Sequence, residues 1–446
     1  LAAIFYRERV IFADTALQNV YLLIEQRPCI NWIRPGAIIP QIIPLCAIWL
    51  HTGLRAVMIL HSLSFILFFL AIYLIAYRLS KRQILFFLIP LYLVLITTQA
   101  FYWPQSELQQ GMVWLCLYAV FLYEGATGDS DRWRVWTAHF LFILWIQFFH
   151  PLIFFPLLFL QAYHYSGRSG LFSKDGIRYL SICIIAFTIR YVVGLSNSYE
   201  AGKLSVVNVE LNPLHLFSLN SVHVFAGRAC HEYALYCVAL SFALGWLMIT
   251  GMYRKAILLL GFTLGYWLLI MISYPYDERF YTENMLLPLG FMVALAWVAD
   301  ILPAYRSSTM TGVIALAIAV RFAFIYHAHV DYTDRLDGYR SYFRYIESAK
   351  LNGVFVDERS ADRERMITTW ASGYESMLIS SIDSPDSCMI VQIDDMSQPG
   401  NKAYYTDALN ADTAFVARYR TWRQSRVPQR YFRLRHGKYE MLPAQQ

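Results

Sequence analysis

Long apolar stretches alternate with short polar ones along most of this chain, and the length of the stretches decides the class of fold. Between Ala56 and His327 about ten apolar runs approach the ~20 residues that a helix needs to cross a bilayer core. Ala56–Tyr77, Tyr233–Thr250, Ala256–Ser273, Met285–Ala299 and Thr311–Tyr326 are examples, some at the short end. The pattern predicts a polytopic α-helical membrane protein. Leu1–Phe5 is too short to span and reads as the tail of a truncated first helix, which brings the expected total to about 11 spans.

One stretch, Trp136–Tyr163, decides the sidedness of everything around it. Read as two short helices broken at His150-Pro151, it returns the chain to the side it came from. One side then carries Arg78, Lys81, Arg82, Arg132, Arg134, Arg168, Lys174, Arg178, Arg254, Lys255 and Arg306 in short loops. The other carries Arg7, Arg9, Arg27, Arg34, Arg55, Lys203, Arg228 and Arg279, diluted over longer loops. Eleven bases against eight places the first set in the cytoplasm. A single long helix there would reverse the bias, so the broken reading is the expectation. The outer face then holds 6–55, 99–110, 196–231, 274–283 and the tail.

After His327 the pattern changes. From Ala328 to the end, 16 acidic and 16 basic residues are packed into 119 positions, and no run could span a membrane. Gly353–Asp357 and Cys388–Ile393 predict buried strands. Tyr431–Leu434 and Lys438–Leu442 predict a hairpin turning at His436-Gly437, and Tyr339–Leu351 and Met366–Leu378 read as helices. The expected division is a transmembrane domain over residues 1–327 and a soluble, extracytoplasmic α/β domain over residues 328–446. That domain shows no phosphate loop or metal pattern, and its simplest role is to cap or position a site.

Composition agrees with the membrane class: 57% of residues are hydrophobic and 15% charged, against about 25% charged in soluble domains. The net charge of +6 is spread over the loops and orients the protein rather than marking a nucleic-acid surface. Of seven cysteines, Cys46, Cys116, Cys183 and Cys237 lie in or beside apolar stretches and act as small apolar groups. Cys29, Cys230 and Cys388 fall on the outer side, where a Cys29–Cys230 bridge is one option.

The outer loops carry the candidate chemistry. In the first, Asp14, Gln18 and Glu25 share one helical face, and Val10, Leu17, Tyr21 and Ile24 form an apolar stripe. This spacing predicts an interfacial helix along the membrane. A surface helix with a solvated face is the plain alternative; the functional reading makes Asp14 a base held just outside the first span. Pro35, Pro40 and Pro44 then predict short membrane-surface helices before Gly53. In the second loop Glu107 follows Tyr102-Trp103-Pro104, either favouring the N-terminus of its helix or serving as a second catalytic or metal-binding carboxylate opposite Asp14. In the last, Arg279 precedes Phe280 and Tyr281 at the head of a span. An arginine there either snorkels or holds a lipid phosphate with its planar fork.

These residues together resemble the GT-C superfamily of integral-membrane glycosyltransferases, such as the protein O-mannosyltransferases and the lipid A aminoarabinose transferase. The resemblance covers roughly residues 1–327. It rests on Asp14 after the first helix, on the Pro-rich stretch Arg34–Gly53, on Glu278-Arg279-Phe280-Tyr281 followed by Leu286-Leu287-Pro288, and on His150-Pro151. It implies transfer of a sugar from a polyprenyl-(di)phosphate carrier to an acceptor at the periplasmic face of the bacterial inner membrane. Asp14 would act as base, with Glu107 beside it. Arg279, with Lys203 or Arg228, would hold the lipid phosphate, and the anomeric centre would invert. Two departures stand out: Thr15 and Ala16 follow Asp14 where many members pair acids, and Glu107 has no acidic or His neighbour. They leave metal dependence open, with a divalent cation the one cofactor in question, and they leave room for a member that has lost catalysis. The partners implied are the lipid-linked donor and membrane lipid, with no nucleic acid. The rival readings are a non-catalytic scaffold bound to envelope-complex proteins, a polysaccharide polymerase or ligase, and an ion-coupled transporter. The last would want mid-span charges, which only Arg190 and Arg321 approach.

Overall fold

A computed structural model describes residues 1–30, 33–80, 84–124, 132–166, 172–197, 216–275, 280–305, 308–362, 365–366, 368–398, 400–401, 405, 415–417, 420–422, 426–434 and 439–442. The chain begins with two short helices, α1 (Tyr6–Val10) and α2 (Ala13–Glu25). The Pro-rich stretch follows as a 3-10 turn over Pro35–Gln41 and helix α3 (Ile42–Trp49), the short helices that its prolines predict.

Among the described residues five helices are long and apolar enough to cross a membrane: α4 (Leu54–Leu79), α9 (Lys174–Leu195), α12 (Tyr253–Ser273), α13 with its continuation (Thr282–Ala304), and the apolar part of α14 (Ser308–Ala349). A sixth forms if α10 (Asn220–Ala229) and α11 (Ala234–Ile249), bent by 81°, count as one span. The remaining apolar elements are shorter: α5 (Leu88–Ile96), α6 (Glu107–Glu124), α7 (Arg132–Gln147) and α8 (Phe154–Ser166). At ~1.5 Å per residue, helices of 13 to 16 residues reach only ~20–24 Å. The chain is thus a helical membrane protein.

Burial orders the bundle. In α13, 83% of the apolar window is buried inside the protein, against 17% in α14. The first is a central post; the second turns most of its surface outward, as a lipid-facing helix does. Gly290 sets a close crossing. A Cβ there would stand 2.9 Å from the carbonyl oxygen of Tyr92 on α5, so only glycine lets these two helices meet.

The break in Trp136–Tyr163 falls where the sequence places it, between α7 and α8 at 148–153. The two halves form a hairpin. Trp136 near the start of α7 and Tyr165 near the end of α8 both pack on Tyr179 of α9, with ring centroids 4.6 and 5.4 Å away. At the opposite end Phe149 fills the space over Gly36 and Gly111.

The loops therefore sort into two sets. At one end Lys255 pairs with Asp300 at 2.5 Å and Tyr163 donates to Asp300 at 2.7 Å. At the other, Arg34 meets Glu107, Tyr102 donates to the Ile325 carbonyl, and the Ser221 amide donates to the Pro275 carbonyl. Each set of bonds ties together chain segments at one end of the bundle.

The change of composition at Ala328 falls inside α14, which runs unbroken from Ser308 to Ala349. Its last turns pack Tyr339 and Ile346 on a three-stranded parallel sheet of order β2-β1-β5. Here β1 is Gly353–Asp357, β2 Ile390–Asp394 and β5 Tyr439–Leu442. Two short strands, β3 (Phe415–Ala417) and β4 (Arg420–Trp422), pair separately. Helix α15 (Ser372–Ser381) lies along β2, where Ser372, Ser376 and Ser380 accept from the amides of Ile393, Val391 and Met389.

Three expectations need correction. The hairpin is not formed: β5 pairs in parallel with β1, and Tyr431–Leu434 is not a strand. The turn at His436-Gly437 lies outside the described residues. The apolar stripe of α2 is not the face it buries inside the protein. Ala13, Ala16, Val20 and Leu23 are buried in one core with Tyr374 and Met377 of α15, while Leu17, Tyr21 and Ile24 are only partly covered. The tail supplies a second apolar neighbour that the local pattern does not reveal. Finally, Cys29 and Cys230 are not joined in a disulfide; the first is buried and the second exposed.

Candidate functional site

Asp14 stands in the first turn of α2, half-buried. The turn before it is unusual. Ala13 has φ +40°, in the left-handed region that side chains disfavour. Phe12 points into an aromatic cluster, with ring centroids 5.0 Å from Trp103, 5.1 Å from Phe280 and 5.4 Å from Tyr332. Those four rings bring together the first, second and last outer loops and the top of α14.

Below α2 is a buried polar layer that the sequence reading did not single out. Asn19 donates to the Val10 carbonyl at 2.8 Å, and its oxygen is 2.5 Å from Nδ1 of His61 on α4. Nε2 of His61 meets the amide of Gln105 in the second loop. Arg9, fully buried, donates to Ser62 Oγ at 2.8 Å and to the Phe101 carbonyl, and its guanidinium lies 4.0 Å from the Phe101 ring centroid. Burial lowers its pKa to about 9. The only sequence signal was a His-Ser pair, His61-Ser62, inside an apolar run.

Glu107 opens α6, and its Oε2 lies 3.3 Å from Nη1 of the buried Arg34. The Pro-rich stretch thus supplies the partner of this carboxylate. Glu107 and Asp14 are both half-buried, and the bond that holds Glu107 runs to Arg34.

A cleft of about 550 Å³ opens between the loop after α5, the end of α10 and α14. Arg228, His231, Glu232, His327 and Asp331 edge it, with Phe324 as apolar wall. Arg228 is 3.9 Å from Glu232, one turn along, and Gln99 donates to Asp331 at 3.2 Å. Beneath this rim Glu283, buried at the head of α13, accepts from the amides of Thr98 at 2.6 Å and Ala100 at 2.8 Å and from the Tyr233 hydroxyl at 3.4 Å. Arg321 donates to the carbonyls of Val94 and Leu95, closing the C-terminal end of α5. The mid-span arginine is accounted for by this cap.

Of the residues singled out from sequence, Arg228 lines the cleft, while Asp14 and Glu107 do not. Tyr332, which packs on Phe12, follows Asp331 of the cleft rim, so one aromatic cluster links the Asp14 turn to the cleft. Arg279 and Lys203 lie outside the described residues. Phe280, next to Arg279 in the chain, touches Phe12. Among the described residues, no three His, Cys, Asp or Glu side chains stand close enough to hold a metal ion.

The bundle, with a polar cleft at one end of it, is that of a helical membrane protein. No known protein family, curated protein or solved structure matches this chain.

Proposed function

We propose that this chain is a GT-C-type glycosyltransferase that moves a sugar from a polyprenyl-(di)phosphate carrier to an acceptor at the periplasmic face of the bacterial inner membrane. The observation that carries the reading is the Phe12, Trp103, Phe280 and Tyr332 cluster, which draws three outer loops together beside a cleft edged by Arg228. A lipid-linked sugar needs an opening at headgroup height with an apolar wall and a cation, and Phe324 and Arg228 supply both. In this reading the short apolar helices complete the set of about 11 spans, and the segment after His327 is a periplasmic α/β domain.

The chemistry follows from the residue types. Asp14 takes the proton of an acceptor hydroxyl, whose oxygen attacks the anomeric carbon. The bond from that carbon to the phosphate oxygen breaks, the centre inverts, and the departing (di)phosphate is held by Arg228 with Arg279 and Lys203. An arginine suits this task because two parallel N–H donors match two phosphate oxygens.

A scaffold reading draws on one observation: Glu107, the second carboxylate, is engaged by the buried Arg34. The two readings part on lipid binding. Undecaprenyl phosphate added to the protein in nanodiscs and followed by native mass spectrometry should bind. Arg228→Ala should weaken it by about ten- to a hundred-fold, the worth of a charge-assisted contact of ~1.5–3 kcal/mol. Equal binding to the variant would remove the cleft from the site.

A further inference from the structure

We infer that Glu375, in the C-terminal segment, is a positioning residue that holds the Asp14 turn in place; its catalytic consequence rests on the reading of Asp14 as the base. Oε1 of Glu375 accepts the Ala13 amide at 2.8 Å, across 362 positions of sequence. The carboxylate is wholly buried and paired with the buried Arg335 of α14, whose Nε is 2.9 Å from Oε2 and whose Nη2 is 3.1 Å from Oε1. Tyr339 also donates to Oε2 at 2.8 Å. Arg335 is itself fixed by the carbonyls of Arg365 and Thr368, and it lies 5.1 Å from the Phe12 ring centroid.

The two residues before Asp14 are thus gripped from the same side, Phe12 by the cation and Ala13 by the carboxylate. The grip matters because of the backbone it holds. Alanine at φ +40° is disfavoured by its Cβ, and the turn relaxes unless an outside contact fixes it. An acceptor aimed at the Ala13 amide is such a contact. Far along α2 the tail grips again, where the Trp422 indole donates to Glu25 at 3.0 Å. The segment after α14 therefore does more than cover the site: it fixes the angle at which the first carboxylate of α2 is presented.

Hydrogen exchange read by mass spectrometry on the full-length protein in nanodiscs tests this directly. Glu375→Ala should raise exchange over 12–18 by about tenfold or more, the factor expected when a charged acceptor is lost, while β1 and β2 stay protected. Adding Ala13→Gly should recover part of the protection, because glycine adopts a positive φ without penalty. Should Glu375→Ala fail to fold, Arg335→Lys, which cannot reach both oxygens and both carbonyls, should give a smaller rise confined to the same segment. No rise, a rise shared equally with the sheet, or no recovery on Ala13→Gly would each overturn the assignment. In transfer assays the same variants should lower kcat while leaving the affinity for undecaprenyl phosphate unchanged. If exchange responds as described but the wild-type protein transfers no sugar, the catalytic reading fails and the strut stands.

Discussion

Glu283 offers a measurement whose size can be worked from the structure. Its carboxylate accepts two backbone amides, Thr98 and Ala100, at the start of a 3-10 helix (Gln99–Tyr102), where the first amides have no partner within the helix. Both meet the same oxygen, Oε1, and Tyr233 meets the other. Glu283→Ala leaves two buried donors unpaired at ~1–3 kcal/mol each, so the loss should be ~2–6 kcal/mol before any cavity term. Glu283→Gln keeps a carbonyl oxygen for both amides and loses only the charge assistance, a cost of about 1 kcal/mol. Because Thr98 and Gln99 line the cleft, the alanine variant should also weaken lipid binding. The assay is reversible unfolding in dodecyl maltoside micelles titrated with sodium dodecyl sulfate, followed by tryptophan fluorescence. A Glu283→Ala protein within about 1 kcal/mol of wild type, or a Gln variant as damaged as the Ala variant, would refute the reasoning.

Three further outcomes follow from the same geometry. Gly290→Ala should cost ~1–3 kcal/mol in the same titration, because the new methyl meets the Tyr92 carbonyl and Ile96 where α5 and α13 cross; a neutral result would mean that α5 and α13 separate freely. Asp14→Asn should abolish transfer with unfolding unchanged, since the change is nearly isosteric; undiminished turnover would favour the scaffold reading. In a background lacking the exposed Cys46 and Cys230, a membrane-impermeant maleimide added to intact cells should label Ser348→Cys and spare Thr250→Cys. The reverse pattern would invert the proposed orientation.

Local information was enough for the features that depend on local physics. The spans at α4, α9 and α12 show in the length of their apolar runs. The α7–α8 hairpin shows in His150-Pro151, because proline removes a helical hydrogen bond and crowds the preceding turn, and β1 coincides with Gly353–Asp357. Features that depend on distant partners were not legible. Lys438–Leu442 reads as one arm of a hairpin, and nothing local says that Tyr439–Leu442 pairs in parallel with β1 instead. The sequence makes Glu107 a candidate for chemistry or for a helix terminus, and its partner Arg34 lies 73 positions away. The face of α2 that is buried, Ala13, Ala16, Val20 and Leu23, does not stand out locally because its partner, α15, comes more than three hundred residues later. Arg9 and His61 look like chance polar interruptions until the loops that surround them are assembled.

The unbroken course of α14 has a mechanical meaning. Its 42 residues make a rod of ~63 Å, about twice the ~30 Å of a bilayer's hydrocarbon core, and it continues as one helix from the last span into the sheet. No hinge separates them, so the azimuth of the sheet is tied to the azimuth of the span. Each residue added to the helix would turn everything beyond it by ~100° and lift it by ~1.5 Å. One inserted residue would swing Arg335 away from Phe12 and Glu375 away from Ala13 with both partners still intact. The C-terminal segment is therefore keyed to its span like a bit on a shank: length can be changed only in steps that restore the angle, and even then the height is wrong.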